Sequence, residues 1–595
     1  MQLSPLPDLA SNRRLTLTAL GVTLLVGLVL ALHDNDLAKA LGDTDDAMRL
    51  VLVRDLLAGH GWWDQLVPRL QPPVGSYMHW SRLVDGGLAA MTWTFARVMS
   101  PASAELATRL VWPIAWIFPA VLSALLIARR LGGRAAVFAC AVLLATNVQL
   151  YSQFRPGRVD HHNVQIAMAL IAAACALAGE RRVQWAAAAG AASALGLCVG
   201  IEALAFQAII GASFALRAAI DPSENARPAR AYGLALAGVS LALFAIQTPP
   251  WRWALSVCDA IGLNLLAALV VGGAGLAGIS TAFGPSGAFA ALGLRGRMAS
   301  LAGLGVIAGG AYLALDPQCI HGPFAAVDPR MNGFWFSHIR ELQSWGQMLG
   351  QDAGVAVRSI VMAVLGLGSA LVLLARDGRR PTAPTLTIAA CVALAAFAAA
   401  NALRMQDYAY WFGMPTLAAA VAFIGARYLR ELLLPTLAAT LAASPVCIGV
   451  ALTALVEFAP KPAVATTEGV DEHCFDTANY AKLARLPAGV TLAEIDLGPF
   501  ILANTPHAVL AAPYHRMSWG ILAAHDAQNA PAPAAEAKVR ALRVRYLVEC
   551  PGNPLRVGPR SLEADLRDGR VPAWLRPLSG PRDTLKIYQV LPAAP

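Results

Sequence analysis

The sequence predicts an α-helical polytopic membrane protein carrying a small C-terminal α/β domain, and three observations predict it. Of 595 residues, 57% are hydrophobic and only 14% charged, with a mean hydropathy of +0.54. Apolar runs of bilayer-crossing length recur as far as about residue 456, and beyond it the chain turns polar with strand-like stretches. A soluble chain of this length needs more charge to cover its surface, whereas a bilayer accepts apolar side chains outside as well as inside. The net charge of +9 does not indicate nucleic acid, because the arginines stand in short groups between apolar runs rather than in one basic stripe.

A crossing needs roughly 17–25 apolar residues. The runs are 16–32, 107–128, 134–150, 164–179, 184–200, 201–217, 230–247, 258–276, 298–315, 353–376, 383–400, 409–427 and 432–456, which makes thirteen spans. The first follows Asn12-Arg13-Arg14 with no convincing cleavage site before Asp34, so it is expected to be retained as a span. Many runs are rich in Ala and Gly, which suits close helix packing.

With the N-terminus cytoplasmic, the connections predicted to be cytoplasmic hold Arg129/Arg130/Arg134, Arg181/Arg182, Arg227/Arg230, Arg295/Arg297, Arg376/Arg379/Arg380 and Arg427/Arg430. Each cluster falls on the side that the positive-inside rule requires. Thirteen crossings then place 457–595 outside, as a periplasmic or other extracytoplasmic domain of a protein in, by expectation, a bacterial inner membrane. Residues 1–456 form the membrane domain, with external loops at 33–106, 151–163 and 316–352. The first loop includes a short apolar stretch near 86–99, expected to lie along the membrane interface. A Pro-containing linker at 459–463 opens the C-terminal domain. There Val490 to Ile495, Ala508 to Ala511, Val544 to Val548 and Leu585 to Leu591 read as strands, with helical stretches at 475–486 and 533–542.

The nine cysteines show no metal-type spacing. Cys140, Cys175, Cys198, Cys391 and Cys447 lie in apolar runs as small buried residues. Cys474 and Cys550 share the external domain, where a disulfide is permitted, and Cys319 is an external competitor; two unpaired thiols are the alternative.

The chemistry-bearing residues gather in the external loops. The first loop opens with Gly42-Asp43-Thr44-Asp45-Asp46-Ala47-Met48-Arg49. Its three closely spaced carboxylates repel one another unless a cation or an arginine sits among them, so the cluster is either a divalent-metal site or a solvated loop tip. Farther on come Trp62-Trp63-Asp64 and His79-Trp80-Ser81-Arg82, aromatics that suit sugar stacking or the membrane interface equally well. The second loop reads Arg155-Pro156-Gly157-Arg158-Val159-Asp160-His161-His162-Asn163. Asp160 and His162, two apart in an extended loop, can face one centre and with a first-loop carboxylate suit Mn²⁺ or Mg²⁺; the alternative is a capping arrangement for the following helix. The third loop carries Ile339-Arg340-Glu341-Leu342-Gln343, and a later external connection carries Arg404. Arg404 is either a snorkelling anchor or a grip on a lipid-linked phosphate.

Taken together these motifs resemble the catalytic subunit of oligosaccharyltransferases, especially the archaeal single-subunit form, and more broadly the C-type (GT-C) glycosyltransferases. The resemblance spans about residues 1–456 and implies a GT-C fold with thirteen transmembrane helices and an external C-terminal domain. It also implies a first-loop aspartate as metal ligand: Asp43 has the family's offset to Arg49, with Asp45 and Asp46 as rivals. Asp160-His161-His162 is similar to the family's Asp-His-His motif, and His79 stands in a stretch similar to Pro-x-His-Trp-Gly, which contacts phosphate. Glu341 matches the Glu of Thr-Ile-x-Glu, which helps to place acceptor and metal. Arg404 before Tyr408 and Tyr410 is similar to the phosphate-binding arginine. The family's Trp-Trp-Asp-Tyr-Gly motif, which binds the hydroxyl-bearing residue of the protein acceptor, is absent.

The implied activity is metal-dependent transfer, with inversion, of a sugar or oligosaccharide from a polyprenyl phosphate or pyrophosphate donor to an acceptor on the outer face. The departure leaves open whether that acceptor is a protein, a lipid or a glycan. Arg158, beside the second-loop motif, is a further site candidate. The rival reading is a transporter or flippase of a lipid-linked sugar, which would bury ionisable groups near the midplane. Glu202 is the chief residue of that kind, whereas most polar groups fall in loops, which favours an enzyme.

Overall fold

The computed structural model describes residues 9–33, 37–179, 182–428, 432–457, 471–553 and 557–593. The expected linker at 459–463, and Arg181 and Arg430 of the arginine clusters, lie outside these residues. The apolar runs become α1 (Asn12–His33), α4 (Pro101–Thr146), α5 (His162–Ala178), α6 (Val183–Val199), α7 (Leu204–Ile220), α8 (Pro222–Gln247), α9 (Leu263–Phe283) and α10 (Leu294–Leu315). After the short α11 (Trp345–Gln351) of the third loop, they continue as α12 (Ala353–Asp377), α13 (Ala383–Asn401), α14 (Gln406–Tyr428), α15 (Leu433–Ala442) and α16 (Pro445–Glu457). Among the described residues, eight helices are long and apolar enough to cross a membrane, or nine if the bent pair α15–α16 is one span. The expected fourth, fifth and sixth spans are the shorter helices α5, α6 and α7, 17 residues each.

The chain is therefore an integral, multi-pass, mostly helical membrane protein. Leu24, Val306, Leu371 and Phe397 stand exposed on its helices, an arrangement that lipid tolerates and water does not.

The expected second and third spans are joined as α4, 46 residues long, which leaves helical geometry at Gly132 and Gly133. Gly133 takes φ +67°, which a residue with a Cβ adopts at a cost. Small residues also set the helix contacts. A Cβ on Gly233 of α8 would sit 2.3 Å from the Gly273 carbonyl of α9, so only glycine allows that crossing.

At one end of the bundle the first loop folds into α2 (Thr44–Leu57), the hairpin β1 (Leu66–Val67) and β2 (Ser76–Tyr77), and α3 (Arg82–Phe95). The short apolar stretch near 86–99 thus falls largely within α3, which packs on α4 through a Thr92–Thr108 hydroxyl hydrogen bond of 2.9 Å. Both indole N–H groups of Trp62 and Trp63 donate to the Ile246 carbonyl, at 2.7 and 3.0 Å, and pin this loop to the end of α8.

The C-terminal domain is a five-stranded mixed sheet in the order β4-β3-β5-β7-β6. Its strands are β3 (Val490–Ala493), β4 (Ala508–Val509), β5 (Val544–Glu549), β6 (Leu575–Pro577) and β7 (Lys586–Val590). β3 runs parallel to β4 and β5, and β7 is antiparallel to both β5 and β6. Helices at Ala481–Ala484, Gly498–Asn504, Ser518–Gln528, Ala532–Ala541 and Leu562–Arg567 complete the domain, and the helical stretch expected at 475–486 is α-helical only over the first of these. The four expected strands are present; β6 was not expected. Cys474 and Cys550 are bonded, and Cys319, the competitor, is bonded to Cys258.

The domain docks on the first loop by backbone pairing. Gln71 N–H donates to the Val509 carbonyl at 2.8 Å, and Val509 N–H returns a bond to the Arg69 carbonyl at 2.9 Å. Asp328 of the third loop reaches the Ser518 hydroxyl at 3.4 Å. The domain and the loops therefore share one end of the bundle, and the candidate residues lie beneath it.

Candidate functional site

Asp43 is the N-cap of α2. Its Oδ1 accepts the backbone N–H groups of Asp45 and Asp46, each at 3.0 Å, and Asp46 Oδ2 accepts the Asp43 N–H at 3.2 Å, closing a capping box. The turn before it needs Gly42, which has φ +86° and whose Cβ would lie 2.5 Å from Asp46 Oδ2. Arg158 then contacts both Asp43 Oδ2 and Asp46 Oδ2, the latter at 2.9 Å. Asp46 Oδ1 accepts the Val159 and Asp160 amides at 2.7 and 3.0 Å. Asp43 and Asp46 are thus occupied in capping the helix and clamping the second loop to it. Asp45 is the remaining carboxylate. Burial, then the Asp160 and Glu341 charges, push its carboxyl up to about 8 despite His162 and Arg49.

The second loop brings Asp160 and His162 together, although the segment is a bend running into α5 rather than an extended loop. His161 occupies the N-cap position but makes no side-chain capping bond, so the capping alternative for this histidine pair is not what the fold uses. His162 Nε2 lies 3.2 Å from Asp160 Oδ2, and His161 Nδ1 lies 2.5 Å from Asp160 Oδ1. Arg49, fully buried, bridges Asp160 Oδ1 at 3.3 Å and Asp85 Oδ1 at 2.7 Å, with its guanidinium 4.5 Å from the centre of the Trp80 ring. Burial works against the Asp160 charge, but His161, His162 and Arg49 outweigh it and hold the carboxyl well below its usual range. Ligating atoms of Asp160, His161 and His162 lie within 4.8 Å of one another. Asp160 Oδ2 is buried and accepts no hydrogen bond.

The other nitrogen of His162 meets a residue with no recognisable motif. Glu202 sits in the short connection between α6 and α7, and its Oε2 lies 3.1 Å from His162 Nδ1. Its Oε1 contacts Arg404 Nη2, while Arg404 Nη1 lies 3.5 Å from Glu341 Oε1. The third loop is held there by the Leu403 N–H, which donates to the Gln343 carbonyl at 3.0 Å. Asp160, His162, Glu202, Arg404 and Glu341 thus form one contiguous polar chain across four connections. Glu202, the residue a transporter would place in mid-membrane, stands at helix ends as part of it.

His79 belongs to an adjoining group. Its ring packs 4.5 Å from that of His515. His515 Nε2 lies 2.7 Å from Asp259 Oδ2, and Arg516 forks onto both Asp259 oxygens at 2.6 and 2.7 Å. Burial, His515 and Arg516 hold the His79 imidazole well below its usual pKa, so it is neutral near pH 7. The two groups are separated by Trp80, whose ring lies 6.4 Å from that of His161. Sequence reasoning missed Asp259, His515 and Arg516, which lie in two regions without a motif.

No protein-family model and no curated protein matches the chain. Solved structures do. The oligosaccharyltransferase AglB of Archaeoglobus fulgidus in its apo form matches with a TM-score of 0.65 and 14% identity, covering 90% of this chain and 69% of that one. The same enzyme with an inhibitory peptide and a dolichol-phosphate gives 0.64, with the same identity and coverage. Its complex with Zn and sulfate gives 0.56 over 88% of this chain and 68% of that one, at 14% identity. The chain therefore has the fold of the archaeal oligosaccharyltransferase.

Proposed function

We propose that this protein is a metal-dependent glycosyltransferase. It moves a sugar or oligosaccharide from a polyprenyl phosphate or pyrophosphate to an acceptor at the outer face of the membrane. The observation that carries this reading is the polar chain from Asp160 through His162, Glu202 and Arg404 to Glu341 at one end of an apolar bundle with this fold. A transporter would hold such groups near the bilayer midplane rather than at one end of the bundle.

The residues fit a divalent cation. The unpartnered Asp160 Oδ2, the adjacent His162 Nε2 and the carboxyl of Asp45 supply oxygen and imidazole donors of the kind that hold Mn²⁺ or Mg²⁺. Asp45 replaces Asp43 as the first-loop ligand in this reading, because both Asp43 oxygens are already engaged. The ion when bound neutralises charge that develops on the leaving phosphate.

The chain's own groups do the rest. Arg404 presents a planar fork to phosphate oxygens at the end of α13 and α14. His79, neutral and with its Nδ1 unpartnered, offers a further contact to the donor. Glu341, half exposed and beside Arg404, is suited to orient the acceptor nucleophile and take up its proton as it attacks the anomeric carbon. Direct displacement inverts that carbon.

AglB has been seen with dolichol-phosphate and, tethered, with an acceptor peptide carrying an NVT sequon. That supports a lipid-linked donor here. The acceptor, whether protein, lipid or glycan, is not fixed by the site. Incubating the purified chain with a membrane lipid extract and candidate acceptors, then identifying the glycosylated product by mass spectrometry, tests the reading. No transfer by an active-folded preparation, or transfer undiminished by Asp160→Ala, would refute it.

A further inference from the structure

Glu202 divides its two carboxylate oxygens between the two halves of the site. Oε2 lies 3.1 Å from Nδ1 of His162, and Oε1 meets the guanidinium of Arg404. The Glu202 side chain is 12% exposed, so water screens neither contact well. A carboxylate at Nδ1 orients the ring so that Nε2 would face a bound cation, on the side where Asp160 Oδ2 lies 3.2 Å away. The other oxygen holds the arginine that faces the third loop and Glu341.

We infer that Glu202 is a positioning residue that couples the metal end of the site to the phosphate end, an inference that rests on the metal and donor reading above. The physical reason is competition for one charge. While Arg404 draws on Glu202, less of that carboxylate's charge is available to polarise the His162 N–H. A phosphate that engages Arg404 relaxes its hold on Glu202, and the full carboxylate then makes His162 a more basic ligand. Binding at either end therefore favours binding at the other, by the same factor in both directions. The neighbouring Glu341 cannot substitute. It contacts Arg404 at 3.5 Å, but it is half exposed and has no contact with His162 within ion-pair distance among the described residues.

The test uses the full chain in detergent, Mn²⁺ binding followed by electron paramagnetic resonance, and a soluble short-chain prenyl phosphate as the donor probe. In the wild type the prenyl phosphate is expected to tighten Mn²⁺ about fivefold or more, and Mn²⁺ to tighten the prenyl phosphate equally. Glu202→Gln is expected to weaken Mn²⁺ about 10–100-fold, as loss of a carboxylate behind a ligating histidine does, and to reduce the mutual factor. Attraction between the ion and the phosphate themselves survives the substitution, so the share carried by Glu202 is the difference between the two factors. Glu202→Asp keeps the charge on a stem one carbon shorter that does not span both partners. It is expected to lose the mutual factor as well, and it decides the matter should the Gln variant not fold.

His162→Ala separates the two levels of the argument. If it abolishes Mn²⁺ binding while both Glu202 variants keep the wild-type Mn²⁺ affinity and mutual factor, the coupling role is overturned and the metal reading stands. If His162→Ala itself binds Mn²⁺ as the wild type does, the metal reading falls, and the coupling role with it.

Discussion

Asp46 accepts the backbone N–H of Val159 at 2.7 Å and so fastens the first loop to the second, immediately before Asp160. The same carboxylate accepts the Asp160 amide and the Asp43 amide and pairs with Arg158. Asp45, its neighbour in the chain, has none of these duties. Adjacent aspartates should therefore fail in different ways.

Asp46→Asn replaces one acceptor oxygen by a donor facing Arg158 and the Asp43 amide, and should cost about 1–3 kcal/mol of stability. Thermal unfolding in detergent should show a lowered midpoint. Asp45→Asn should not lower that midpoint but should lower transfer, by about 10–100-fold or more. Equal loss of stability in both variants would remove the distinction.

A chelator should abolish transfer, and Mn²⁺ or Mg²⁺ should restore it. Asp160→Ala and His162→Ala should lower activity to the same floor and no longer respond to added ion. Full activity after exhaustive chelation would refute the metal site.

The two disulfides bear on orientation. Cys258–Cys319 and Cys474–Cys550 both lie at the end of the bundle that carries the candidate site. Bridges of this kind persist only where the compartment is oxidising. Peptide mapping of protein taken from native membranes under non-reducing, alkylating conditions should find both bridges. Four free thiols would place this end on the reducing side and overturn the outer-face assignment.

The C-terminal domain should lose stability as pH rises. Glu494 is surrounded by burial and by Glu563, against which Asn553 and Arg567 only partly compensate, and its carboxyl is pushed up to about 7. A folded-state pKa raised above the unfolded value, about 4.3, means that the folded domain holds a proton that the unfolded chain releases first. The contribution is present in full below about pH 4 and is lost as pH rises through 7, on the order of 3 kcal/mol. Protection of the β5 amides against hydrogen exchange, expressed as an opening free energy, should fall from pH 5 to pH 8. Glu494→Gln should flatten that slope, and an unchanged slope would show that Glu494 is not its source.

Much of this was legible because the signals are local. An apolar run is a helix wherever the backbone must satisfy itself in lipid, and the runs ending at 128 and starting at 134 were separable by the Arg129/Arg130/Arg134 cluster, where the fold leaves helical geometry at Gly132 and Gly133. Asp160, His162 and Glu341 could be read from short motifs. Among the first-loop aspartates, the offset from Arg49 favours Asp43 and leaves Asp45 and Asp46 as rivals. The three-residue spacing of Asp43 and Asp46 is also a capping-box spacing, which the fold uses, and that is why the proposed metal reading takes Asp45. Glu202 carried no such sign. It is a single acid between two apolar runs, and its partners, His162 and Arg404, are brought to it only by the packing of α5, α7 and α14. Asp259, His515 and Arg516 were illegible for the same reason, since the ion pair joins two segments that the sequence gives no reason to associate.

Arg404 should act on the donor's phosphate and not on the acceptor. Its guanidinium stands between Glu202 and Glu341, so it is already oriented before any ligand arrives, unlike a snorkelling side chain, which directs its charge to bulk water. Two carboxylates hold it by two ends, and a phosphate that takes over one end exchanges one charge-assisted hydrogen bond for another. Arg404→Ala should therefore raise the donor KM or lower kcat, with the acceptor KM largely unchanged. It should also leave Glu202 without its cation, so Glu202→Gln in the same chain should add less than it costs alone. Arg404→Lys keeps the charge but presents a point where the phosphate needs a fork, and only part of the loss should be recovered. Steady-state kinetics with each substrate varied in turn separates these outcomes. Normal donor kinetics in the alanine variant, with reduced insertion into the membrane as the only defect, would make Arg404 an anchor and end its role in the reaction.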